Sequence, residues 1–193
     1  MRIFDFVKRQ RKKIVVLPSL RNVFKEVEPW MEKAFFPIAS IPLSMIRKGW
    51  KGELHILYFN EDPYNEEASK SHNDYCSLEM ISFVIESKKY SFLGHQDYFK
   101  LSEDWNQWHE MTKTSYEKLK NSNVSESDLL SKLSIGGEPE WIQNDATPHL
   151  DEEPMDFILQ FSSGDFFDDM SGAEHYIFYS EKHQMVVHRY QVD

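Results

Sequence analysis

Apolar runs of strand length, each closed by proline, glycine or an Asx-rich turn, recur along this chain and limit its fold more than any other feature does. Ile14 to Leu17 stops at Pro18, and Glu53 to Phe59 lies between Gly49/Gly52 and the turn cluster Asn60-Glu61-Asp62-Pro63. Leu78 to Ile85 follows a polar stretch, and Tyr90 to Leu93 stops at Gly94. Further on, Met155 to Phe161 alternates Met, Phe, Leu and Phe with Asp156, Ile158 and Gln160, the period of a half-buried strand. His175–Tyr179 and Met185–Tyr190 flank Glu181-Lys182-His183-Gln184 as the two arms of a hairpin. Short runs rich in β-branched and aromatic residues, punctuated this way, predict strands. Glu53–Phe59 and Leu78–Ile85 are expected to pair as antiparallel neighbours.

Helical spacing is confined to fewer places. After Ser102, a candidate N-cap, Glu103 and Asp104 suit the positive end of a helix dipole. Trp105, Trp108, Thr112, Tyr116 and Leu119 then fall three and four residues apart, which predicts an amphipathic helix of about four turns packing this stripe on a sheet. Ser125 or Ser127 caps a shorter helix carrying Leu129, Leu130 and Leu133. Val23 to Phe36, with Val27, Trp30, Met31 and Ala34 on one side, reads as a further helix, and Met1 to Lys13 as a short one with Ile3, Phe6 and Val7 inward. The sum is an α+β fold in which mixed, mainly antiparallel sheets pack with a few amphipathic helices. A chain of 193 residues is within the size of one core, so a single domain over residues 1–193 is expected.

With 40% hydrophobic and 15% aromatic residues the chain can fill that core. Its single cysteine, Cys76, excludes an internal disulfide framework and a cysteine-rich zinc site, which fits a reducing compartment. No run reaches the ~18–20 apolar residues of a membrane helix, and no signal-peptide pattern is present; a cytoplasmic location without a membrane partner is expected. The net charge of −10 is unevenly spread. Residues 1–25 carry eight basic residues (Arg2, Lys8, Arg9, Arg11, Lys12, Lys13, Arg21, Lys25) against Asp5 alone, whereas Leu133 to Glu181 holds no lysine or arginine. An acidic surface repels nucleic acid and steers basic partners toward itself.

One segment, Ile135-Gly136-Gly137-Glu138-Pro139-Glu140-Trp141-Ile142-Gln143, is distinctive. Gly136 and Gly137 permit positive φ and close backbone approach, Pro139 stiffens the exit, and Trp141 is a large apolar anchor. Gln143 and Gln160 are suited to satisfying backbone groups in a loop with few ladder bonds. The segment has neither a phosphate-loop ending nor a dinucleotide fingerprint. With Met155-x-Phe157-Ile158-Leu159-Gln160 and Tyr176-Ile177-Phe178 after it, the last third of the chain resembles the YwqG-like family of uncharacterised bacterial proteins, which implies a strand-rich C-terminal unit over 133–193. Relatives often carry a cysteine pair within the interval that here reads Asn144 to Pro154 without cysteine, so the resemblance implies no metal.

Chemistry finds little support. His149 with Asp151, Glu152 and Glu153, or Asp165 with Asp168, Asp169 and His175, matches no metal-ligand register. Cys76 with His72 or His55 lacks a nucleophile signature. No catalytic residue, metal or cofactor is therefore assigned, and the chain is read as a non-enzyme. The expected function is that of a protein-interaction domain, an immunity or antitoxin-type protein neutralising a basic toxin encoded by the adjacent gene. Its contact surface is expected to be Trp141, Asp151, Glu152, Glu153, Asp165, Phe166, Phe167, Asp168 and Asp169, with exposed aromatics as anchors and acids as steering charges. Two alternatives remain open: a small-molecule-binding or metal-dependent enzymatic domain with a pocket under Gly136-Gly137 lined by Trp141, Gln143 and His149, and a structural protein forming homo-oligomers.

Overall fold

Every residue but the last of the segment Phe35–Pro42 is buried, which requires a strand covered on both faces. The computed structural model, which describes residues 13–167 and 172–192, supplies the two covers. In chain order the strands are β1 (Val15–Val16), β2 (Phe35–Pro42), β3 (Glu53–Phe59), β4 (Met80–Glu86), β5 (Lys89–Phe92), β6 (Ser134–Ile135), β7 (His149–Leu150), β8 (Glu153–Pro154), β9 (Asp156–Ser162), β10 (Glu174–Ser180) and β11 (Met185–Gln191). They form a three-stranded sheet β1-β2-β3, a six-stranded sheet β5-β4-β11-β10-β9-β6 and the two-stranded ribbon β7-β8, all antiparallel. The result is an α+β arrangement of mainly antiparallel sheets with short helices and one long one, Glu103–Asn121.

Alternation along β2 sets the layers. Phe35 points to the six-stranded sheet, with ring centroids 5.9 Å from Phe83 and 5.7 Å from Phe92. Its neighbour Phe36 points to the long helix, 5.4 Å from Tyr116 and 6.1 Å from His109. The small sheet therefore lies between the large sheet and the helix. Pro37 lacks an N–H for the ladder, and the β2–β3 register shifts between Pro37 and Ala39. Its freed carbonyl accepts the Tyr116 hydroxyl at 2.7 Å, which fastens the helix to the strand. One apolar cluster runs from Ile14 through both sheets to Val186, so strands from both halves of the chain share a core.

The far face of the large sheet is closed by the Gly136–Gln143 segment. Gly136 and Gly137 stand at φ of 78° and 80°, and the Gly136 N–H donates to Ile158 O at 2.7 Å. Trp141 then lies on Tyr176 and Phe178, with centroids 4.5 and 5.9 Å away. Gln160 accepts the Glu140 N–H at 2.8 Å, and Gln143 is tied to the end of β11 through Gln191 and the Val192 carbonyl.

Three expectations change. Over Val23 to Phe36, Val23 closes the short turn Leu20–Val23, Met31–Ala34 forms another and β2 begins at Phe35, because Pro29 breaks the helix and disfavours α geometry at the residue before it. β3 pairs with β2, not with β4, whose partners are β11 and β5, so the two strands belong to different sheets. Ser102 is the N-cap residue of the long helix but caps nothing with its side chain. Ser125 does cap Glu126–Leu130, in a capping box with Asp128. The helix expected over Met1–Lys13 lies, but for its last residue, outside the described residues.

Candidate binding cleft

β3 ends at Phe59 because Asn60-Glu61-Asp62-Pro63 turns the chain, and this turn builds one end of the molecule. The two carboxylate oxygens of Asp62 accept the backbone N–H of Tyr64 at 3.1 Å and of Ser102 at 2.9 Å, so the turn grips the start of the long helix. Asn60 Nδ2 donates to His109 Nδ1 at 3.0 Å, and Asn60 Oδ1 accepts from Thr112 at 3.3 Å, one helical turn on. These bonds fix where the first turns of the helix project. Trp105 and Trp108 lie on the stripe expected to be core, but Trp105 is half-buried and Trp108 exposed, and on that stripe only Thr112 and Tyr116 beyond them are buried.

A cleft of about 390 Å³ opens below the two tryptophans. Tyr58 and Phe59 of β3, Leu78 and Glu79 ahead of β4, His175 of β10, and Tyr190 and Val192 at the end of β11 complete its walls. Its rim carries Tyr64, 83% exposed, together with the exposed side chains of Leu78, Trp108 and Val192. Four large apolar groups from distant parts of the sequence thus stand around one opening. Glu79 occupies the left-handed region at φ 60°, a conformation that costs a non-glycine residue energy and clusters at functional sites.

The floor is polar and under-satisfied. Glu61 is 7% exposed; Oε1 accepts the Glu79 N–H at 3.3 Å, and Oε2 has no hydrogen-bond partner. Burial pushes its carboxyl up to about 7, against the opposing pull of the nearby Tyr98 phenol, the Glu79 N–H and the Tyr190 phenol. His175, 2% exposed, has neither ring nitrogen bonded. It is stacked on Phe161 at 4.8 Å and edged by Tyr58 at 5.3 Å, and burial lowers it to about 3, which keeps the imidazole neutral. His109 is likewise lowered by burial. Within an aromatic wall the floor therefore offers one carboxyl that ionises near neutrality and one neutral imidazole, which suits holding a polar group. Cys76 is buried and its thiol is pushed up to about 12, the opposite of what a nucleophile requires. Among the described residues no group of three His, Cys, Asp or Glu side chains is placed to hold a metal ion.

The residues expected to contact a partner do not come together here. Phe166 and Phe167 are core residues, not surface anchors: Phe167 is fully buried, 4.5 Å from Tyr58 and 6.4 Å from Phe36, because the turn after β9 folds back between the sheet and the helix. Trp141 is half-buried on the opposite face of the large sheet. Asp151 and Glu152 form the turn of the β7-β8 ribbon at φ 51° and 66°, and Glu153 follows, all exposed. Asp151 is engaged by Lys182 at 2.8 Å and His183 at 3.2 Å, the Lys182 bond and charge lowering its carboxyl. Asp165 is exposed, and its carbonyl accepts the Lys132 ammonium. Asp168 and Asp169 lie outside the described residues. The expected pocket also moves: Trp141, Gln143 and His149 do not line the cleft. A tryptophan pair at the head of a helix, beside a turn holding Glu61 next to Asp62, was the available signal, but periodicity alone reads those tryptophans as core.

The chain matches no family model, no curated protein and no solved structure. Among the described residues no helix is long and apolar enough to cross a membrane.

Proposed function

We propose that this is a cytoplasmic, non-enzymatic interaction protein of the immunity or antitoxin type, which captures a basic partner at the cleft beneath Trp105 and Trp108. The observation that carries this reading is the exposed ring of Tyr64, Leu78, Trp108 and Val192 around the buried, half-satisfied Glu61. Exposed apolar groups gathered on one opening mark interaction sites, and partners concentrate their binding energy in Trp and Tyr at the desolvated centre. The net charge of −10 supplies attraction at long range, to which the exposed acids Asp151, Glu152, Glu153 and Asp165 contribute without being anchors. Kinship with the YwqG-like family, suggested by Gly136 to Gln160, belongs to the same proposal and assigns no reaction.

Titration calorimetry against the purified product of the adjacent gene tests the reading. The expected result is a complex that Trp108→Ala weakens by at least tenfold, an interfacial tryptophan being worth about 2 kcal/mol or more. A stable complex indifferent to Trp108→Ala moves the interface elsewhere, and no complex with a basic protein product rejects the immunity reading. A cleft of about 390 Å³ is also within the range of small-ligand sites. A metabolite that raises the melting temperature of the wild type but not of Trp108→Ala would favour that second reading.

A further inference from the structure

The floor of the cleft holds an acid that no cation answers. None of the lining residues is lysine or arginine. The groups that face Glu61 are Glu79 from the segment before β4, which opposes its ionisation, the phenols of Tyr98 and Tyr190, and the buried thiol of Cys76. Tyr98 donates its hydroxyl hydrogen to Ser77 O at 2.8 Å; its phenol and that of Tyr190 lie near enough to pull the Glu61 carboxyl down, but neither meets Oε2 with hydrogen-bond geometry. Arg189 lies near Glu79 and Tyr98, its guanidinium directed at Met80 Sδ at 3.9 Å, and Glu61 is not among the groups that shift it. A buried carboxyl is costly unless paired, and a glutamine would fill the same space without that cost. His175, both of whose ring nitrogens are unpartnered, lines the same chamber, so two buried polar groups without partners border one space.

We propose that the cleft receives one organic cation, the ammonium or guanidinium group of a lysine or arginine side chain presented by the basic partner, with Glu61 as counter-ion and Tyr64, Trp105 and Trp108 flanking the alkyl stem. This rests on the interaction reading above and specifies its chemistry. Aromatic faces attract a cation through their quadrupole, most strongly when water is excluded. Glu61 Oε2 then accepts a charge-assisted bond, and the unprotonated nitrogen of neutral His175 accepts a second N–H of the same group. Where Glu61 is protonated beforehand, its proton leaves to solvent as the cation enters, so charge balances within the cleft. A neutral side chain of equal length would fill the apolar walls and leave the floor unsatisfied.

The test uses Nα-acetyl-lysine methylamide, the arginine analogue and the neutral norleucine analogue, each titrated into the full chain while the indole N–H resonances of its five tryptophans are followed. The Trp105 and Trp108 signals are expected to shift and those of Trp30, Trp50 and Trp141 to stay. Lysine and arginine probes should bind about tenfold more tightly than norleucine. Glu61→Gln should reduce that preference to below about threefold, and the wild-type preference should grow from about pH 6 to about pH 8 as Glu61 ionises. Unmoved Trp30, Trp50 and Trp141 signals in the variant establish that it folds. Equal binding of norleucine, an undiminished preference in Glu61→Gln, or no shift with any probe at its solubility limit overturns the proposal. Should the protein partner bind in a Trp108-dependent way while the probes show no charge preference, the cation assignment falls and the interaction reading stands. Should neither bind, both fall.

Discussion

At the scale of single residues, Glu61 weakens the fold at the pH where it would act. Its carboxyl is raised from 4.5 to about 7, so the native state holds a proton that the unfolded chain releases. The associated stability is fully present below about pH 4.5 and is lost as pH rises through about 7. Glu61→Gln keeps an oxygen for the Glu79 N–H and removes the ionisation. The variant should be more stable than the wild type by about 1–3 kcal/mol at pH 8, the upper end approaching the full linkage of a carboxyl held at about 7 in the fold, and nearly equal to it at pH 4.5. Urea unfolding at the two pH values measures this. An equal or smaller gain at pH 8 would place Glu61 in a wetter setting than its burial implies.

At the scale of elements, the joint between the end of β3 and the long helix decides whether a cleft exists. Asn60 satisfies His109 Nδ1 and takes a hydrogen bond from Thr112, while Asp62 holds the Ser102 N–H at the first turn. Asn60→Ala removes both side-chain bonds and strands a buried imidazole nitrogen, which should cost about 2–3 kcal/mol. The same change should move the Trp105 and Trp108 indole resonances in the free protein and leave Trp141, on the opposite face of the large sheet, unchanged. If all five tryptophans shift together, Asn60 supports the whole core and not this joint. The Gly136–Gln143 segment acts at the other side of the sheet: through Gln143 and the Val192 carbonyl it also fixes the strand end that carries one rim residue of the cleft.

At the scale of the molecule, three buried histidines join the strands of both sheets. His55 of β3 bonds Ser40 at 2.7 Å and the Lys88 carbonyl at 2.9 Å, His188 of β11 lies edge-on to Phe83 at 5.5 Å, and His175 of β10 is stacked on Phe161. Burial lowers them to about 4, 3 and 3, so each is neutral when folded and takes a proton when unfolded below about pH 6.5. Their stabilisation is present above 6.5 and lost as pH falls; Glu61 opposes them by one proton. His109, which burial also lowers, adds to the uptake, so a net gain of about two to three protons makes stability fall by about 3–4 kcal/mol per pH unit between about pH 6 and 5. Urea titrations at pH 7, 6 and 5 should give that slope, whereas a flat profile would mean that the histidines are hydrated in the native state.

The fold class was legible because strand-length runs and turn residues act locally: Gly136 and Gly137 adopt positive φ wherever the rest of the chain goes, and Ser125 caps the helix that follows it. Partnership was not legible, since β3 pairs with β2 or β4 according to which faces the whole core can cover, and both runs carry apolar residues enough for either. The candidate site fell between these limits. Charge, the double glycine and the tryptophan stripe were all visible, but whether Trp108 or Phe167 faces water depends on what packs against the first turns of the helix and where the turn after β9 folds inward. Sequence by itself determined most of the strands, the Ser125 cap and the acidic charge balance, because those follow from each residue and its near neighbours, whereas the turn and strand over Val23–Phe36 and the idle Ser102 hydroxyl did not. Tertiary structure alone decided that Glu61 is buried and open to a cleft while Phe167 is sealed in the core, because burial is a property of the packed whole.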